Sequence, residues 1–141
     1  MLIREFISET NKNKMISDLL KYYKVGSVKV KEKSMKDHAH FNVDTGTLEL
    51  STRYRTIKNR QLKEFLITII HEIYHAMDAK KYGWKKFKDM YEMEMNLQIA
   101  MDKDEYKDNK YEIEAEKFGQ KNWSKWTVSY THLTLPTSDL V

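Results

Sequence analysis

Apolar residues recur at steps of three and four across residues 61–80: Leu62, Phe65, Leu66, Ile69, Ile73 and Met77 form one stripe. That period belongs to the α-helix, so the segment reads as a helix with one buried face. Gly83 follows it, in the place where glycine commonly ends a helix. Upstream, Met15, Leu19, Leu20 and Tyr23 mark a helix over residues 12–24, with Thr10 or Asn11 as its cap and Gly26 as its stop. Residues 84–101 offer Phe87, Met90, Tyr91, Met95 and Leu97 for packing, the methionines as core filler. Residues 102–109 are a charged connection. Residues 110–126 read as a final helix with Ile113, Ala115 and Phe118 inward.

Between the first two helices the period changes to two. Val28 and Val30 alternate with Lys29 and Lys31, as in a half-exposed strand. Residues 39–43 and 47–51 flank Asp44-Thr45-Gly46, which predicts a β-hairpin with Phe41 and Val43 opposing Leu48 and Leu50. The expected architecture is α+β: an N-terminal helix and a short antiparallel β-sheet, followed by the long helix and two further helices.

A length of 141 residues suits one domain. The chain has no cysteine, which excludes disulfides and thiolate metal sites. Any metal must therefore be held by His, Asp or Glu, donors that suit zinc and other first-row divalent ions. The 25 basic and 21 acidic residues are interspersed and sum to +4, the pattern of a mixed solvated surface rather than a nucleic-acid patch. The longest apolar run, residues 65–70, is too short to span a bilayer. The N-terminus lacks the apolar stretch of a signal peptide, so the expected location is cytoplasmic, with no membrane partner. The richness in lysine and asparagine suggests an AT-rich genome, such as that of a phage or a low-GC bacterium.

The end of the chain departs from this composition. Residues 128–141 lack Lys and Glu and hold the only proline, Pro136. Val128-Ser129-Tyr130-Thr131-His132-Leu133-Thr134-Leu135-Pro136-Thr137 resembles a translated transposase-type sequencing adapter. In that frame the preceding codon ends in CT and can encode only Ser, Pro, Thr or Ala; residue 127 is Thr. The expected domain is thus 1–127, with 128–141 a non-native tail, and His132 is not counted as a ligand.

Chemistry concentrates in His71-Glu72-Ile73-Tyr74-His75, an H-E-x-x-H pattern inside the strongest helix. Residues four apart project from one helix face, so two neutral imidazoles can grip one divalent ion there. Glu72 follows the first ligand and can reach a metal-activated water, the position of a general base. The stripe of Leu66, Ile69, Ile73 and Met77 lies on another face, which lets the helix dock while the ligands look into a cleft. A catalytic zinc wants a third protein ligand. His38 and His40 share one face of a strand, and residues 111–118 offer Glu112, Glu114 and Glu116. Glu112 and Glu116 share a face with the small Ala115; Glu114 points away. Tyr106, Tyr111 and His38 are candidates to stabilise an oxyanion. The hairpin offers residues 39–43 or 47–51 as an edge to which a peptide could add.

H-E-x-x-H followed tens of residues later by E-x-x-A-E on a second helix resembles the gluzincin branch of zinc peptidases. Its small members include the minigluzincins and ImmA/IrrE-like peptidases. The resemblance covers residues 62–118 and implies a small zincin-like domain holding one Zn²⁺. Under it Glu112 is the third ligand and Glu116 supports a ligating histidine by a hydrogen bond; the family more often has Asp or Asn at that place. The implied activity is hydrolysis of a protein or peptide substrate. Two other readings compete. One is a zincin-fold regulatory or partner-binding protein with little proteolysis. The other is a basic nucleic-acid-binding protein with an accidental motif, using Trp84, Trp123, Trp126 and nearby lysines.

Overall fold

The computed structural model describes the backbone of residues 6–131 and the side chains of residues 7–127. The elements run β1 (Phe6–Ile7), α1 (Glu9–Tyr22), β2 (Lys29–Lys33), β3 (Ala39–Asn42), β4 (Thr47–Ser51), β5 (Ile57–Lys58), α2 (Leu62–Tyr82), α3 (Trp84–Ala100) and α4 (Lys110–Thr131). This is the expected α+β domain. Residues 132–141, which include His132 and most of the adapter-like tail, lie outside the described residues.

The long stripe became α2, the spine of the fold. Phe65, Leu66, Ile69, Ile70 and Ile73 are fully buried, each worth about 1.5–3 kcal/mol of apolar burial. They meet Met15 and Leu19 of α1 and Leu48 and Leu50 of β4 in one core. Ser8, rather than Thr10 or Asn11, caps α1: its hydroxyl accepts from the Asn11 amide at 3.2 Å. Gly83 ends α2 as expected, with φ +90°, a conformation in which a side chain would be strained.

The sheet is mixed, not antiparallel. β3 and β4 form the predicted hairpin with Phe41 opposite Leu48, but Ala39 rather than Val43 stands opposite Leu50, because β3 ends at Asn42; β2 runs parallel to β4, Val30 against Leu48. The order is β2-β4-β3. The physical reason is connectivity. The link from β2 to β3 is too short for a crossover but long enough to carry the chain past the place of β4. β4 then enters between them and is buried along most of its length. β3 is left as an edge strand beside α2.

One further expectation fails at the surface. Ile113 and Leu97, expected to pack, are 40% and 50% exposed. The tryptophans make local contacts. Trp84 lies against Gly46 and Phe41, Trp123 lies under Lys63, and Trp126 stacks edge-on with Tyr22. Among the described residues no helix is long and apolar enough to cross a membrane.

Candidate metal centre

His71 and His75 stand one turn apart on α2, their rings 5.1 Å apart and steeply inclined. α4 crosses this face. Its approach depends on two small residues. Ala115 is fully buried. Gly119 comes so close that a Cβ there would lie 2.8 Å from the carbonyl oxygen of Ile67 and 3.6 Å from the amide nitrogen of His71. The start of α4 is held by two caps. Asn109 accepts from the Tyr111 amide at 2.9 Å and Glu94 of α3 accepts from the Lys110 amide at 2.8 Å; the Glu94 charge also suits the helix N-terminus. Glu112 follows one residue later.

These contacts bring the predicted residues together. Glu112 Oε1 lies 2.8 Å from His71 Nε2 and 2.9 Å from His75 Nε2. One donor atom from each of the three lies within 4.8 Å of the others, and all three residues are buried. Glu116 Oε2 lies 2.9 Å from His71 Nδ1, the support expected of the residue four after Glu112. Two imidazole nitrogens and a carboxylate converging in a buried spot match the donor chemistry of a divalent-ion site. The group could hold a metal ion. A ring nitrogen bonded to a carboxylate fixes the tautomer and turns the other nitrogen toward the ion.

The electrostatics follow from the crowding of acids and imidazoles. Burial alone would lower the His71 pKa, but hydrogen bonding to Glu112 and the charges of Glu72 and Glu112 lift it to about 9. Burial pushes Glu112 up, and its hydrogen bonds with His71 and His75 override this and hold it well below the usual carboxylate range. Burial raises the pKa of Glu72, with both imidazoles opposing the shift. Its Oε1 is 3.8 Å from His71 Nε2. Glu72 therefore sits beside the three donors without joining them.

A cleft of about 830 Å³ opens over this group, walled by Ala39 and His40 on the β3 side, by Thr68 and Glu72 of α2, and by Tyr106 and Glu116. The alternatives for third ligand do not converge. His38 Nδ1 lies 2.6 Å from the Tyr54 hydroxyl and 3.0 Å from Glu64; His40 borders the cleft. Glu114 is exposed, as expected. Tyr111 turns away to pack on Phe87 and Tyr91. Tyr106 lines the cleft, and desolvation of its hydroxyl with the charges of Glu112 and Glu72 raises its pKa.

Two residues escaped the sequence. Tyr91 has the sequence position of a packing residue, yet its hydroxyl donates to Glu112 Oε2 and anchors the far oxygen of that carboxylate. Gly119 carried no periodic signal at all; only its position one turn after Ala115 marked the same small-residue face. Comparison with family models, with curated proteins and with solved structures finds no match.

Proposed function

We propose that the protein is a zinc-dependent metallopeptidase of gluzincin type. The observation that supports this reading best is the convergence of His71, His75 and Glu112 on one spot with Glu72 beside it. An ion held by these three would polarise a peptide carbonyl and lower the pKa of a water toward about 7. Glu72, raised by burial, takes a proton at its carboxylate and returns it to the departing amine. Glu116 keeps the His71 ring in register. Tyr106 faces the same cleft with its proton held on, so its hydroxyl donates to the oxyanion. The free edge of β3 can accept an extended peptide by backbone hydrogen bonds and lay it across the centre. Zinc is the ion we assign because two imidazoles and one carboxylate are a donor set that catalytic zinc takes.

The test combines metal content with cleavage of a peptide library read by mass spectrometry. One zinc per wild-type chain is expected, lost in Glu112→Ala and in His75→Ala. Glu72→Gln should keep the zinc and lose on the order of 10²–10⁴ in rate. Hydrolysis by Glu72→Gln at the wild-type rate would remove the peptidase reading.

A further inference from the structure

The metal centre is reached from two sides. Besides the arm along β3, a cavity of about 660 Å³ opens between α4 and the loop before it, with His71, Glu112 and Glu116 at its floor. The remaining wall is Tyr106, Lys107, Ile113, Lys117, Gln120 and Lys121. It holds three lysines and no acid. Ile113, Lys117 and Lys121 follow one another at four-residue steps on α4, so they share a face.

The two carboxylates on the floor, and Asp104 beside the wall, are already engaged. Glu112 bonds both imidazoles and Tyr91. Glu116 bonds His71 Nδ1 and accepts from Gln120 Nε2 at 3.0 Å. Asp104, which neighbours Lys107, spends Oδ1 on the amides of Tyr106 and Lys107 at 2.8 and 2.7 Å. Among the described residues neither Lys117 nor Lys121 has an ion-pair partner. A net positive wall therefore stands against the floor of the site, with the exposed Ile113 offering apolar support.

We propose that this cavity is a subsite for a carboxylate of the substrate, held next to the bond to be cleaved. The inference rests on the peptidase reading, which puts a peptide in the cleft. The lysines supply the charge, and Ile113 supports the methylene stem that carries the carboxylate. An aspartate or glutamate side chain and the free C-terminus of a peptide share this chemistry.

Three octapeptides separate the cases: an amidated one with a central Glu, its Gln counterpart, and the Gln counterpart with a free C-terminus. Each is titrated calorimetrically into zinc-loaded Glu72→Gln protein and into the same protein carrying Lys117→Gln and Lys121→Gln. Both lysines are exposed, and circular dichroism checks that the variant folds. A carboxylate-bearing peptide should bind more tightly than the amidated Gln peptide. The advantage should fall roughly two- to fivefold for each lysine removed, and with added salt. A gain for the Glu peptide identifies a side-chain subsite; a gain confined to the free C-terminus identifies a terminal one. Equal affinity for all three peptides, or an advantage untouched by the lysine changes, overturns the proposal. Wild-type cleavage is read separately. Charge-dependent binding without cleavage would sink the peptidase reading and leave the subsite; cleavage blind to charge would do the reverse.

Discussion

Gly119→Ala tests how the centre is assembled, because two effects of opposite sign meet at one atom. Replacing glycine by alanine inside a helix gains about 1 kcal/mol from propensity alone. The new Cβ, however, would stand 2.8 Å from the Ile67 carbonyl oxygen, where ordinary contact begins at 3.4 Å. The oxygen belongs to the backbone of α2 and cannot swing aside, so α4 must retreat by about half an ångström. Such overpacking costs about 1–3 kcal/mol, more than the propensity gain at its upper range. Metal–ligand distances tolerate only about 0.2 Å. Glu116, three residues from Gly119, would lose its 2.9 Å contact with His71 first, and Glu112 would follow. The expected result is a net loss of about 1 kcal/mol in denaturant unfolding and a zinc affinity weaker by about tenfold or more in competition with a chromophoric chelator. Gly26→Ala is the control, since a Cβ there meets only Lys21 Cγ at 3.8 Å. A Gly119→Ala protein that is more stable than wild type and binds zinc equally well would refute the close-approach argument.

Tyr91→Phe keeps the ring that packs on Phe87 and Tyr111 but removes the donor to Glu112; zinc affinity should drop roughly tenfold with little change in melting temperature, and an unchanged affinity counts against the role. Tyr106→Phe should lower kcat on the order of 10²-fold with KM and zinc content unaltered; a fall confined to KM would place the tyrosine in binding instead. The buried Lys12 hydrogen-bonds Glu32 and depresses that carboxyl below its ordinary 4.5, with Arg55 adding to the effect. A depressed folded-state pKa gives stability that is complete above about 4.5 and drains as pH falls through the folded value. Glu32→Gln should therefore destabilise the fold at neutral pH and flatten the acid limb of unfolding free energy against pH; parallel acid limbs for the two proteins would contradict it.

The helices were legible because each carries its own period. The stripe from Leu62 to Met77, and the two imidazoles four residues apart, depend only on neighbours along one helix. Helical spacing put Glu112 and Glu116 on one face beside Ala115, but it left His38, His40 and Glu114 as rivals; their separate roles came from the resemblance carried by E-x-x-A-E. What could not be read depends on contacts between distant segments. The parallel pairing of β2 with β4 leaves no mark in alternation, since Val30 and Lys31 alternate alike in either direction. Tyr91 is separated from Glu112 by 21 residues, and nothing local distinguishes a tyrosine that packs from one that also donates. Ile113 was misassigned because a cavity wall and a core present the same apolar residue at the same helical step.

The carboxylate and the imidazoles that meet at the centre are 41 and 37 residues apart along the chain. Whatever draws them together also closes a long loop, and it restricts the unfolded chain as a cross-link would. With the proposed ion bound, a chain without cysteine would have a removable substitute for a disulfide, one fastened by supply of an ion rather than by oxidation. Its durability would then track how much of that ion its surroundings hold.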